Sequence, residues 1–308
     1  MKDKRVVFMG TPEFSVPVLE MLIEETNVVL VVTQPDSFVG RKKELKFSPV
    51  KEVAIKNNID VFQPEKIRNE YEKILEYKPD VIITCAYGQI IPSILLDTPK
   101  YKAINVHASL LPKLRGGSPL HKCIIDGYDK TGVTIMYMAP GMDDGDIITQ
   151  DEVKIDINDN VGIIHDKLSV MGRDLLLKTL PSIFDGTNNR YKQDESEVTF
   201  AYNIKREEEK LDFNKTALEV HNHIRGMYPF PVSYTTLNGE VLKICESKIG
   251  DKKKGEAGEI ISINNDSFGV MCSDREILIT RVKPAGKKEM SSKDFINGKK
   301  NLMGEKLW

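Results

Sequence analysis

The sequence predicts a doubly wound α/β domain with a mostly parallel sheet, followed by a small β-barrel or sandwich. Three observations carry that expectation. The first half alternates short apolar runs with helical patterns, a rhythm that implies right-handed crossovers and helices on both faces of a parallel sheet. The rhythm stops after residue 184, and from 185 to 198 the chain is almost wholly polar with no apolar period. Beyond that, short β-patterned runs recur between Gly, Asn and Asp turns. A chain of 308 residues accommodates both parts as separate domains.

Arg5 to Met9 is an apolar run ending at Gly10. After Thr11-Pro12 a helix is predicted from Ser15 to Glu25, where Val18, Leu19, Leu22 and Ile23 share one face. Val28 to Val32 reads as a second buried strand, Pro49 to Asn57 as a helix and Asp60 to Phe62 as a short strand. Glu65 to Tyr77 has the pattern of an amphipathic helix, and Asp80 to Ala86 of a strand. Further strands are expected at Ala103 to Val106, Gly132 to Met138 and Ile147 to Val153, with a long helix from Asp159 to Phe184. In the second part a helix at Ala217 to Arg225 precedes strand candidates at Val232 to Thr236, Val241 to Ser247, Gly258 to Ile263, Phe268 to Cys272 and Glu276 to Val282. No internal repeat or low-complexity tract occurs.

Composition excludes several classes. With 40% hydrophobic and 29% charged residues, the chain is neither disordered, collagenous nor a coiled coil. No run approaches the roughly 20 apolar residues of a membrane helix. Charged Met1 to Arg5 leads directly into a short strand, which leaves no room for a signal-peptide apolar region, so a cytoplasmic protein is expected. Cys85, Cys123, Cys245 and Cys272 lack metal-binding spacing and read as reduced thiols. Residues 1–204 carry 25 basic and 30 acidic side chains against 19 and 16 in 205–308, and the last segment, 281–308, holds eight basic and three acidic. That basic end suits either a polyanion or plain solvent.

In an open α/β sheet the turns after the strands carry the ligands. Gly10 is not followed by Gly-x-Gly-x-x-Gly, so a dinucleotide fingerprint is absent. The segment 105–119 is more informative. Asn105 and His107 lie two apart at the end of a predicted strand, so both project from one face, either as structural groups or as donors into one cleft. The following loop holds Pro112, Gly116, Gly117 and Pro119, residues that let a ligand approach the main chain of Ser109 to Pro112. The turn Gly141-Met142-Asp143-Asp144-Gly145-Asp146 carries three carboxylates and reads as a solvated loop, an Asp-rich metal site or a general-base loop. It lacks the frame of an EF-hand.

Four separated segments, Phe8 to Phe14, Ser109 to Gly116, Gly141 to Asp146 and His221 to Gly226, together resemble the methionyl-tRNA formyltransferases, in order and over nearly the whole chain. The resemblance implies a formyltransferase core of Rossmann-like form at 1–188, a linker at 189–205 and an OB-like tRNA-binding domain at 206–308. It implies transfer of the formyl group of 10-formyltetrahydrofolate to the α-amino group of methionine on initiator Met-tRNA, by a cytoplasmic monomer that needs no metal for the chemistry. Carried over position by position, the catalytic residues are Asn105, His107 and Asp143, the last chosen over Asp144 because it precedes the residue before Gly145. The folate-contacting loop falls on Ser109, Leu110, Leu111 and Pro112, and the backbone around Gln89, Ile90 and Ile91 completes the pterin pocket. Residues 38–56 hold six basic and two acidic side chains. They resemble the family's inserted loop at the acceptor end, with Arg41, Lys42, Lys43 and Lys46 as tRNA contacts. This loop departs from the family's common Pro-Ala-Gly-Arg-Gly-Lys, reading Ser37-Phe38-Val39-Gly40-Arg41-Lys42-Lys43.

These residue types suit the reaction. Attack of a neutral amine on a formyl carbon builds a tetrahedral centre with negative oxygen and positive nitrogen, which requires oxyanion donors and a proton acceptor. Asn105 and protonated His107 supply the former and Asp143 the latter. Rival readings that keep the same three residues are a formyltransferase acting on a small amine and a hydrolase releasing formate. A catalytically idle RNA-binding protein is the rival of another class.

Overall fold

The structure, a computed structural model, describes residues 1–39, 44–299 and 301–308. It divides into two compact units, one of Met1–Pro119, Thr131–Val153 and His165–Ala201, the other of Leu120–Lys130, Lys154–Ile164 and Tyr202–Trp308.

The first unit is built in the expected order: β1 (Arg5–Gly10), α1 (Val16–Glu25), β2 (Asn27–Val32), a hairpin of β3 (Ser37–Val39) and β4 (Glu44–Lys46), α2 (Pro49–Lys56) and β5 (Val61–Phe62). There follow α3 (Glu72–Glu76), β6 (Val81–Cys85), α4 (Ser93–Asp97), β7 (Ala103–His107), α5 (Pro119–Ile125), which from Leu120 on belongs to the second unit, then β8 (Lys130–Tyr137), β9 (Ile147–Lys154) and α6 (Val161–Asp185), which joins the first unit from His165 on. The sheet runs β5-β2-β1-β6-β7-β8-β9. Its pairs from β5 to β7 are parallel, and β8 runs antiparallel to β7, with Ile104 opposite Tyr137 and His107 opposite Thr134. Val6 to Met9 and Val81 to Ile83 are fully buried, as central strands covered on both faces require. α2 starts where the sequence stops it: the Ser48 hydroxyl accepts the Lys51 N–H (3.1 Å) and Pro49 occupies the first turn.

Three features differ from expectation. The helix predicted over Glu65 to Tyr77 shrinks to α3 preceded by a single 3₁₀ turn at Ile67–Asn69. The Gln89 side chain takes the Ile67 N–H (2.9 Å) and Glu70 takes that of Lys66, N–H groups that the first turn of a helix from Glu65 leaves unpaired in any case. The stretch after β2, expected as a loop, forms the β3–β4 hairpin with Phe38 opposite Leu45. α4 and α5 were not anticipated, because five and seven residues are too short for a helical period to register.

Residues read as linker are bonded into this unit. Tyr191 exchanges both backbone bonds with Ile147 (2.9 and 3.0 Å), the Arg115 N–H donates to the Thr199 carbonyl (2.9 Å), and the Ala201 N–H donates to that of Arg115 (2.7 Å).

The second unit contains α7 (Ala217–Met227), β10 (Tyr234–Leu237), β11 (Glu240–Ile249), β12 (Ile260–Ile263), β13 (Phe268–Met271), β14 (Glu276–Pro284), β15 (Met290–Ser291) and α8 (Ser292–Asn297). The strands form an antiparallel, curled half-barrel in the order β10-β11-β14-β13-β12, with β15 on β14. Its core gathers Ile244, Phe268, Ile277, Ile279 and Val282, with Val220 and Ile224 from α7. Thr216 and Glu219 close a capping box on α7, the Glu219 carboxylate accepting the Thr216 N–H (2.9 Å). The two edge strands are bridged by the chain's last residues. Trp308 exchanges backbone bonds with Thr236 (2.9 and 3.0 Å), and the Leu307 N–H donates to Gly258 (2.9 Å), so neither edge is left bare there.

The His221 to Gly226 motif is structural. Arg225 is buried and donates to the carbonyls of Asp156 (3.0 Å) and Asp159 (2.7 Å) and to the Asn222 side chain (2.9 Å), while His221 sits between Ser247 and the Ile157 carbonyl. None of the four cysteines is in a disulfide, and all are buried. Among the described residues no helix is long and apolar enough to cross a membrane.

Candidate active site

Asn105 and His107 project from one face of β7, as alternation along a strand dictates. Thr84 lies in register beside Asn105 on β6, only 2% exposed, and its hydroxyl donates to the Asn105 side-chain oxygen (2.8 Å). With the oxygen engaged, Asn105 keeps its NH2 group for a donor role, and among the described residues no protein group takes those hydrogens. His107, 6% exposed, donates from Nε2 to the Leu114 carbonyl (3.1 Å). Its Nδ1 stands 3.7 Å from Asp143 Oδ1, an ion-pair distance too long for a hydrogen bond, so Nδ1 retains a free direction.

β8 leaves the sheet level with Ala103, where the Met138 N–H donates to the Ala103 carbonyl (2.9 Å), and the turn that follows carries Asp143 back to His107. That turn is tightly specified. Asp143 has φ +49°, a left-handed conformation that aspartate tolerates better than most residues. A side chain at Gly145 would place its Cβ 1.9 Å from the Tyr137 carbonyl oxygen. The three carboxylates diverge. Asp143 Oδ2 accepts the Gly116 N–H (2.8 Å), Asp144 is exposed with its carboxylate over Gly141, and Asp146 lies 3.4 Å from Arg190 Nε. No group of three or more His, Cys, Asp or Glu side chains positioned for a metal occurs among the described residues.

The loop after β7 doubles back over β8 and β9. Leu111 packs with Met136 and Ile147, and Thr134 and Gln150 bind its backbone. The Thr134 hydroxyl donates to Ser109 O (2.7 Å) and accepts from Leu111 N (3.2 Å), while Gln150 donates to Leu111 O (2.9 Å) and to Thr134 (2.8 Å). The Ser109 hydroxyl donates to Lys113 O (2.7 Å). Several backbone groups of Ser109 to Pro112 are therefore spent on shaping the loop. Gln89 is likewise a brace, bonded to Ile67 and Gln34, and Ile91 is buried. Ile90 is 88% exposed and borders a cavity of about 360 Å³ lined also by Gln34, Glu65, Lys66, Ile67, Arg68 and Gln89. None of Asn105, His107, Asp143 or Ser109 to Pro112 lines it.

Of the expected tRNA contacts, Arg41, Lys42 and Lys43 lie outside the described residues, and Lys46 is exposed on β4 beside the exposed Phe38 and Leu45. Lys51, counted in the same basic stretch, is spent on Asp36 (2.5 Å) and Gln63 (2.8 Å) and stacks over Phe47.

Sequence reasoning did not find Thr84, Leu114, Thr134, Gln150 or Gln193 as partners of the site. Only strand register and loop folding bring them there. Thr84 and Thr134 left a signal, each as a polar residue within an apolar strand run.

Comparison with family models places residues 4–180 in the formyl transferase family and residues 203–300 in the formyl transferase C-terminal domain. The chain belongs to the formyl transferase family. A relative from Bacillus cereus (strain B4264), named methionyl-tRNA formyltransferase, is 54% identical over 308 residues, covering 98% of each chain. One of the same name from Staphylococcus epidermidis is 50% identical over 307 residues, covering 98% of this chain and 99% of the relative. Among solved structures, the N-formyltransferase of Helicobacter canadensis, bound to folinic acid and dTDP-3-aminofucose, superposes with TM-score 0.67 at 22% identity, covering 90% of this chain and 98% of that one. HypX of Aquifex aeolicus in complex with tetrahydrofolic acid gives TM-score 0.64 at 14% identity, with 96% of this chain matched to about half of that one (47%). At such identities these two structures carry the fold alone.

Proposed function

We infer that the chain transfers the formyl group of 10-formyltetrahydrofolate to the α-amino group of methionine on initiator Met-tRNA, through a tetrahedral intermediate. The single observation carrying the chemistry is the convergence of an amide, an imidazole and a carboxylate on one strand face, with His107 Nδ1 3.7 Å from Asp143. The acceptor follows from the full-length likeness to relatives named for it, C-terminal domain included.

The amine attacks the formyl carbon, and negative charge collects on the formyl oxygen. Asn105 donates to it through its NH2 group, and His107 through Nδ1–H. Because Leu114 holds the Nε2 hydrogen, donation from Nδ1 uses the doubly protonated ring, which faces Asp143. Asp143 accepts the proton released by the amine and orients the imidazole. Collapse of the intermediate breaks the bond to the folate nitrogen, which takes the proton held by Asp143 and leaves as the amine of tetrahydrofolate. Ser109 to Pro112 and Gln89 to Ile91 contact the folate, with Ile90 as an apolar surface. The Lys46 hairpin, with Arg41 to Lys43, meets tRNA phosphate, where cationic side chains gain by counterion release. In this reading residues 1–188 carry the catalysis, 189–205 connect, 206–308 bind tRNA, and the enzyme works as a cytoplasmic monomer.

The test is transfer of labelled formyl from 10-formyltetrahydrofolate to charged initiator tRNA by the wild-type enzyme and by Asn105→Ala and His107→Ala. Each variant is expected to lose about 100-fold or more in turnover while still binding folate. Near-normal turnover in both removes the assignment.

A further inference from the structure

The polar segment 191–201 does more than connect. Gln193 is 8% exposed, and its side-chain NH2 group donates to two carbonyls of the Asp143 turn, Asp143 O (2.7 Å) and Gly145 O (2.9 Å). Its oxygen accepts from Arg115 Nε (3.0 Å), and the buried Arg115 guanidinium pairs with Glu195 (2.8 Å). The same segment grips the loop that holds the histidine: the Thr199 hydroxyl accepts the Leu114 N–H (2.9 Å), and the Ala201 carbonyl accepts that of Ser118 (2.9 Å). Leu114 in turn provides the carbonyl that fixes the His107 ring. One stretch of chain therefore bonds the main chain of the Asp143 turn and the loop whose Leu114 carbonyl holds His107, without meeting either reacting side chain.

We propose that Gln193 is a positioning residue for formyl transfer, holding the left-handed Asp143 turn so that its carboxylate faces His107 Nδ1. This rests on the reading of Asp143 as the proton acceptor. A carboxamide suits the task, since two hydrogens on one nitrogen satisfy two carbonyls while the oxygen serves Arg115. Glutamate at this position keeps the link to Arg115 but sets an oxygen against the Asp143 and Gly145 carbonyls. Methionine keeps the volume and removes all three bonds. In both cases the turn loses what offsets the left-handed geometry at Asp143, and the carboxylate moves relative to the imidazole.

The experiment measures kcat and KM, with a thermal melt of each protein, for wild type, Gln193→Glu, Gln193→Met, Asp143→Ala and the double variants. Gln193→Glu and Gln193→Met are expected to lose about 10- to 100-fold in kcat, the scale that a misplacement of roughly 1 Å imposes, with both KM values little changed. In the Asp143→Ala background the same substitutions are expected to cost almost nothing further, because the group they position is gone. Two results overturn the proposal while leaving the site reading intact: wild-type kcat in Gln193→Glu, or an equal loss with and without Asp143, which marks a general effect on folding. Wild-type turnover in Asp143→Ala removes the reading of Asp143 and the proposal with it.

Discussion

The sharpest consequence of the geometry concerns a residue that never meets substrate. Thr84→Val exchanges a hydroxyl for a methyl at a site 2% exposed, leaving strand register and side-chain shape in place. What disappears is the 2.8 Å bond that holds the Asn105 amide oxygen. A neutral hydrogen bond is worth about 0.5 to 1.5 kcal/mol net. If that energy keeps the NH2 group toward the formyl oxygen, its loss lowers kcat by about 2- to 13-fold, at 1.36 kcal/mol per factor of ten. The effect is small beside the roughly 100-fold expected from deleting the amide. Single-turnover transfer under saturating substrates reads it directly, and the double variant with Asn105→Ala supplies the control. Thr84→Val should add nothing once the amide is gone. A wild-type rate in the single variant, or a loss of equal size on top of Asn105→Ala, refutes the orientation argument.

Three further outcomes follow. Gln150→Leu removes the donor to Leu111 O and Thr134, so the loop proposed to contact folate loosens and KM for 10-formyltetrahydrofolate is expected to rise several-fold with kcat less affected; an unchanged KM contradicts this role. Leu307→Ala empties a core position held by the chain's last residues, and urea unfolding should show a loss of about 2 to 5 kcal/mol, whereas a loss below about 1 kcal/mol means the tail is not part of the barrel core. Burial pushes the imidazoles of His121, His221 and His223 below their ordinary value of 6.5. The unfolded chain therefore holds more protons than the folded one between 6.5 and those lowered values, and stability rises with pH across that window. The contribution is fully present above 6.5 and is lost as the pH falls through the lowered values. The urea midpoint should drop between about pH 7.5 and about pH 5.5 and drop less in His223→Gln, and an equal midpoint at both contradicts the assignment.

The alternation of apolar runs with helical periods was enough to read β1, β2, β6, β7 and α6 from the sequence, because each buries a continuous face and so shows its period. α4 and α5 escaped because so few residues cannot show one, and of the helix read over Glu65 to Tyr77 only Glu72–Glu76 and one 3₁₀ turn form. The candidate triad was legible as residue types at a strand end and in an Asp-rich turn. Its surroundings were not. Thr84 reaches Asn105 through strand register, Leu114 reaches His107 because the loop folds back, and Gln193 reaches Asp143 across 50 residues in a stretch whose polarity looks like that of any linker. Polar side chains that bond to main-chain atoms leave no periodic trace, so that class of partner becomes visible only in three dimensions.

The central claim, an enzyme that formylates methionine on initiator tRNA, is tested most directly by offering labelled 10-formyltetrahydrofolate with four acceptors in parallel: initiator Met-tRNA, elongator Met-tRNA, free methionine and none. The account predicts label on initiator Met-tRNA and none on the others. Release of formate without an acceptor, or label on a small amine in preference to tRNA, contradicts it.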